Sequence, residues 1–405
     1  MKPVTPQTEH TPLTQPGKVI FGASPIPTSS MTRRGFLGAS ALAMGALAGA
    51  STAAVEAAAE PQRQPNPPGQ KKLRIWLVGL GFGQQFLNAL KGSEYVGEIV
   101  VCDINPRTLK TTQNSSALIS AGYAEIRDML NKEKLDAVCV VTPDHFHRPH
   151  AVVCLEAGCH VLLTKPMACT LEDGRAILRA AEKTDRVFMV AHERRFRKRN
   201  IALKKMLASG DFGEVIHIRS DIIMDKRAFF QERPWYASKE AGRTPIVGTG
   251  IHEVDELRHL VGSEIMAAAA FGNRFGDMEF PRDKTTAAIF KFRNGTVWQV
   301  TVTYVAKPKK RSEEGNFLLS GTRGGVVGSR FARNGSDVWE DLPPDVYGNT
   351  QEGVRGCVAE FIDTLITGKK PAVSGRDAFA SLAACVAADQ SSATGQIVQP
   401  EVYGG

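Results

Sequence analysis

The chain has 405 residues, 42% of them hydrophobic and 23% charged, with a formal net charge of +8. That length exceeds one typical domain, and that apolar fraction excludes a chain unable to bury a core. The charge is mild and no basic helix is joined to an aromatic platform, so no nucleic acid is expected as a partner. Seven cysteines include no Cys-x-x-Cys pair, which leaves no zinc or redox motif. Residues such as Cys139, inside the run Ala137-Val138-Cys139-Val140-Val141, read as small core hydrophobes.

At the N-terminus, Thr32-Arg33-Arg34-Gly35-Phe36-Leu37 is followed by a soft apolar run, 38–54, rich in alanine and glycine. This resembles a twin-arginine export signal, with Met31 just before it as a possible translation start. The run is weakly apolar for a membrane anchor, so no membrane span is expected in the mature protein. Residues 1–58 are read as extension and signal, and 59–70, with four prolines, as a disordered linker. The expected destination is the periplasm or the medium, reached as a folded protein.

The strand Leu73–Val78 runs into Gly79-Leu80-Gly81-Phe82-Gly83-Gln84, after which Phe86, Leu87 and Leu90 recur at helical spacing. Strand, glycine turn and helix together offer backbone amides to a pyrophosphate, with glycine letting the main chain approach closely. The third glycine of the usual fingerprint is displaced, with Gly83 one place early and Gln84 in its position. A second strand, 98–102, ends in Asp103, 22 residues beyond Gly81, where a carboxylate would receive the adenosine ribose hydroxyls and favour NAD over NADP. NADP stays open because Arg107 is near; Asn105 and Pro106 read independently as the cap and first residue of a helix. Strand and helix alternate onward through 135–141, 148–157, His160–Thr164, a capping box at Thr170-Leu171-Glu172-Asp173, and 187–191. Residues 71–191 are therefore expected to form a parallel, Rossmann-type dinucleotide-binding domain.

These features, with Thr142-Pro143 and His147, the Ala157-Gly158-Cys159-His160-Val161 run, Lys165-Pro166, Arg194-Arg195-Phe196 and Gly250-Ile251-His252-Glu253-Val254-Asp255, make the chain resemble the glucose-fructose oxidoreductase and inositol dehydrogenase family, Gfo/Idh/MocA. The resemblance implies that residues 192–405 form a second α/β domain. Its open, mostly antiparallel sheet would carry the substrate pocket on one side and homo-oligomer contacts on the other. Strand patterns at 214–223, Thr285–Phe292 and 296–305 agree; in the last, Trp298, Val300, Val302 and Tyr304 share one apolar face. Two helices, 354–366 and 378–393, close on Gly368 and Gly395.

Hydride transfer from an alcohol carbon needs a proton acceptor and a positive group beside the developing alkoxide. By resemblance Lys165 is the lysine beside the nicotinamide, with Thr164 replacing the family's glutamate, and His252 is the proton-transfer residue. Gly79, Gly81, Phe82, Gly83, Asp103, Thr142, Pro143, His147, Lys165 and Pro166 are assigned to the cofactor, and Arg195, Trp235, His252 and Asp255 to the substrate. His145, His147 and His150 fit no zinc template, and no metal is expected. One departure matters: family dehydrogenases place an aspartate four residues before this histidine, where this chain has Gly248. Asp225, Glu253 and Tyr236 are the candidates to replace it. The resemblance implies an oxidoreductase acting on a sugar, sugar derivative or cyclitol with tightly bound NAD. The alternatives are NAD-dependent glycoside cleavage through transient C3 oxidation and elimination, and a sugar-binding homologue without chemistry.

Overall fold

A computed structural model describes residues 72–310, 317–343 and 349–404; the twin-arginine segment and the linker lie outside them. The first strands, β1 (Leu73–Val78), β2 (Val96–Cys102), β3 (Ile119–Tyr123), β4 (Ala137–Val140), β5 (His160–Thr164) and β6 (Phe188–Ala191), form one parallel sheet in the order β3-β2-β1-β4-β5-β6. β4 and β6 are buried at every position, as strands covered on both faces must be. The connecting helices are α1 (Gly83–Lys91), α2 (Pro106–Gln113), α3 (Ile126–Lys132), α4 (His147–Glu156) and α5 (Leu171–Glu182). The side chain of Asn105 caps α2 by accepting from the amides of Arg107 and Thr108, and Thr170 caps α5 by accepting from that of Asp173. The strand order reverses between β1 and β4, so the crevice for a ligand opens at their carboxyl ends.

After α6 (Lys198–Ala208), the second sheet is built from β7 (Val215–Asp225), β8 (Ile265–Asn273), β9 (Thr285–Phe292), β10 (Val297–Thr303), β11 (Val305–Lys310), β12 (Phe317–Gly321), β13 (Gly325–Val327), β14 (Arg330–Ala332) and β15 (Glu340–Asp341). β7 and β10 run parallel; the other pairings are antiparallel. Trp298, Val300, Val302 and Tyr304 are all buried, as their alternation requires, although the strand stops at Thr303. The inner face packs under α8 (Ile251–Val261) and α10 (Gly375–Thr394). The outer face exposes Ile216, Met266, Phe271, Ile289 and Val297.

The expected division at residue 191 needs one correction. α9 (Thr350–Thr367) places Val354, Cys357, Val358, Phe361 and Ile362 in one cluster with Ile75, Leu77, Phe86, Leu87 and Leu90. The terminal segment therefore returns to complete the core of the first domain, because α1 alone leaves that face of the parallel sheet uncovered. α10 also touches both halves, packing on α5 as well as on α8 and β8. Both helices end on glycines in the left-handed conformation, Gly368 and Gly395. No helix among the described residues is long and apolar enough to cross a membrane, and all seven cysteines are free, six of them buried.

Candidate active site

At the carboxyl end of β1 the chain turns on Gly79, whose φ is +88°. A Cβ there would stand 2.5 Å from the carbonyl oxygen of Val141, so only glycine allows β1 and β4 to approach so closely. A Cβ on Gly81, in contrast, would meet nothing within 4 Å, and one on Gly83 would touch only the Leu77 side chain at 3.5 Å. Nothing in the fold requires the missing side chain of Gly81; the space beside it at the start of α1 suits a pyrophosphate approaching the amides. Phe82 is exposed beside this opening. The carboxylate of Asp103 accepts from the amide of Leu80 at 2.7 Å and from that of Asn105 at 2.8 Å. Each oxygen keeps a lone pair for a ribose hydroxyl while the first pairs brace the glycine turn.

The loops after β4 and β5 form the next wall. His147 is fully buried, with Nε2 2.9 Å from the carbonyl oxygen of Thr142 and Nδ1 2.7 Å from that of Pro166. It ties the Thr142-Pro143 loop to the cis Lys165–Pro166 turn. Its place as a cofactor contact is thus corrected to that of a strut behind the two loops. The hydroxyl of Thr142 pairs with Nδ1 of His150 at 3.1 Å.

Lys165 points from this turn toward the π-helical turn Ile246–Gly250 that leads into α8, with Nζ 3.5 Å from the carbonyl oxygen of Gly248. Burial pushes its ammonium down to about 8, the charge of Arg243 adds to the shift, and Glu193 and Asp144 oppose it. His252, on the first turn of α8, lies with Nδ1 3.4 Å from Oε2 of Glu193. Burial drives this imidazole down to about 3; Glu193 opposes the shift and Lys165 and Arg194 deepen it. The ring is therefore neutral throughout the physiological range. Burial works against the charge of Glu193, but the His252 ring and the cations of Lys165 and Arg194 outweigh it and hold the carboxyl below its usual range.

The site contains three residues that the sequence pattern did not single out. Arg243 is buried, pairs with Asp144, and donates from Nη2 to the carbonyl oxygen of Gly248 at 2.5 Å. It also lies against the rings of Tyr236 at 4.6 Å and Trp235 at 5.7 Å. Glu193 is the third, on the short turn that follows β6. Only the position of Glu193 just past a strand end could have marked it beforehand. Trp235 stacks on Tyr236 at 3.7 Å and meets the ring of His145, forming an aromatic wall beside the cation pair.

Two assignments to the substrate are corrected. Asp255 is buried and accepts from Arg195 through both oxygens, at 2.6 and 2.7 Å, and from Ser381 at 3.0 Å. Arg195 also pairs with Asp377 at 2.7 Å. This network locks α8, the turn after β6 and α10 together, so both residues belong to the packing that holds the site and not to its opening. The candidates for the missing aspartate are likewise engaged elsewhere: Asp225 holds Arg227, Glu253 pairs with Arg194, and the Tyr236 ring covers Arg243.

A parallel sheet with this glycine turn, a second mixed sheet, and a lysine and histidine converging at the crevice define a two-domain nicotinamide-dependent oxidoreductase fold. Residues 73–192 match the oxidoreductase family model with an NAD-binding Rossmann fold, and residues 201–327 match the GFO/IDH/MocA C-terminal domain. The chain belongs to the Gfo/Idh/MocA family. It is 28% identical over 233 residues to a 1-carboxy-3-chloro-3,4-dihydroxycyclohexa-1,5-diene dehydrogenase of Comamonas testosteroni, covering 56% of this chain and 57% of that relative. It is 26% identical to a 1,5-anhydro-D-fructose reductase of Ensifer adhaerens, covering 70% and 85% of the two chains. A glycosyl hydrolase family 109 protein of Shewanella amazonensis is 27% identical, with 74% of each chain covered. Among solved structures, an oxidoreductase from Agrobacterium radiobacter in complex with NAD+, L-tartaric acid and magnesium superposes with a TM-score of 0.72 at 25% identity, covering 81% of this chain and 98% of that one.

Proposed function

We propose that the protein moves a hydride between a bound nicotinamide and a secondary hydroxyl or carbonyl of a sugar, sugar derivative or cyclitol. The observation that carries this reading is the convergence of Lys165 and His252 at the carboxyl ends of the parallel strands, where the glycine turn opens. When bound, NAD supplies the hydride acceptor. The ammonium of Lys165 donates a hydrogen bond to the substrate oxygen and stabilises negative charge as it develops. The neutral imidazole of His252 takes the hydroxyl proton and returns it in the reverse direction. Trp235 offers a flat apolar face to a sugar ring, and Arg243 holds the Gly248 carbonyl against which Lys165 rests.

Export as a folded protein through the twin-arginine route, to the periplasm or medium, belongs to this proposal and rests on Thr32 to Leu37. The outer face of the second sheet, with its exposed Ile216, Met266, Phe271, Ile289 and Val297, supports a homo-oligomer. A second reading, glycoside cleavage by transient oxidation, draws support from the similarity to the family 109 protein. Incubating the holoenzyme with free sugars and matching glycosides separates the two readings: net cofactor reduction by a free sugar supports the first, and release of the aglycone without net reduction supports the second.

A further inference from the structure

Position 248 carries no side chain, and the fold shows why. A Cβ on Gly248 would stand 2.7 Å from Nε of Arg243, whose guanidinium is held by Asp144 and by the Gly248 carbonyl. The space an aspartate would need is filled by a buried cation. His252 consequently has no carboxylate four residues before it, and its Nδ1 is buried without a closed hydrogen bond.

The acidic oxygen that faces this nitrogen comes from another domain boundary, the turn after β6. Glu193 presents Oε2 to Nδ1 at 3.4 Å, while its other oxygen accepts from Arg197 at 3.3 Å. Arg197 also donates to the hydroxyl of Thr350 at the start of α9. The carboxylate is thus fixed from behind by a cation anchored in α9, with its free oxygen aimed at the imidazole. The charged groups around the ring are Lys165, Arg194 and Glu193; two repel a proton on His252 and only Glu193 attracts one.

We infer that Glu193 is the positioning residue for His252, replacing across the domain junction the aspartate that Arg243 displaces from position 248. The inference rests on the reading of His252 as proton acceptor. Glu193 accepts the Nδ1 hydrogen, which leaves the Nε2 lone pair for the substrate hydroxyl. When Nε2 takes that proton, the resulting imidazolium faces an anion that is already in place. A neutral group at 193 would leave the buried imidazolium beside Lys165 and Arg194 without the carboxylate that faces its Nδ1.

The ring state can be read without any substrate. In holoprotein labelled with 15N-histidine, two-bond proton–nitrogen correlations distinguish the two neutral tautomers, and His252→Asn identifies the signal. The expected result is His252 protonated at Nδ1 in the parent and shifted toward the Nε2-protonated form in Glu193→Gln. Once a substrate is in hand, the same variant should lose at least about tenfold in kcat with KM changed by less than about twofold, and Glu193→Asp should recover part of the loss. The alkaline limb set by Lys165 should also move to lower pH, because Glu193 helps keep that ammonium charged. An Nε2-protonated ring in the parent, or the same tautomer in the parent and in Glu193→Gln, overturns the inference. If no sugar reacts, the tautomer result still decides the role of Glu193, so the two proposals fail separately.

Discussion

Two glycines two positions apart, Gly79 and Gly81, should respond to the same substitution in opposite ways. Alanine at Gly79 must adopt a φ of +88° and place its Cβ 2.5 Å from the backbone oxygen of Val141, which belongs to the segment continuing β4 and has no room to retreat. Left-handed strain of about 1–3 kcal/mol and overpacking of similar size add to roughly 3 kcal/mol or more of lost stability. Alanine at Gly81 meets nothing within 4 Å, so the fold should hold to within about 1 kcal/mol. The added methyl would instead stand where the pyrophosphate approaches the amides, weakening NAD by at least about tenfold, or ~1.4 kcal/mol. Chemical denaturation and fluorescence titration with NADH measure the two effects on the same preparations. Equal NADH affinity in Gly81→Ala and the parent would refute the placement of the cofactor on this turn.

Other expectations follow from the same geometry. With Lys165 near 8, activity that needs its ammonium should fall as pH rises through about 8, and Lys165→Arg, which stays charged, should lose that limb while retaining NADH binding; an unchanged profile removes Lys165 from the rate equation. Asp255→Ala leaves Arg195 without its bidentate partner and should cost about 3 kcal/mol or more in unfolding experiments, whereas normal stability with weakened sugar binding would return Asp255 to the pocket. Asp103→Asn keeps an acceptor for the Asn105 amide but removes the charge, so the preference for NAD over NADP should narrow in competition titrations; an unaltered ratio places the ribose elsewhere.

Much of this architecture is legible in the sequence because local chemistry dictates it. The turn at Gly79, the cap at Asn105 and the alternation from Trp298 to Tyr304 each depend on neighbours a few residues away. What escapes is long-range. Arg195 and Asp255 are separated by 60 residues, and their ion pair looks from sequence like two polar groups awaiting a ligand. Arg243 meets Asp144 across 99 residues, and Glu193 meets His252 from a different element, so neither pairing leaves a periodic trace. The return of α9 to the first domain is hidden for the same reason: an amphipathic helix does not say which sheet it will cover.

The most direct test of the proposed activity is the absorbance of the purified holoprotein near the reduced-nicotinamide band, followed while a panel of sugars, sugar acids and cyclitols is added. The expected result is a rise or fall of that band with one class of polyol, lost in Lys165→Met although cofactor remains bound. A band that stays constant with every compound, in protein shown to carry NAD, contradicts the assignment of Lys165 and His252 to hydride transfer.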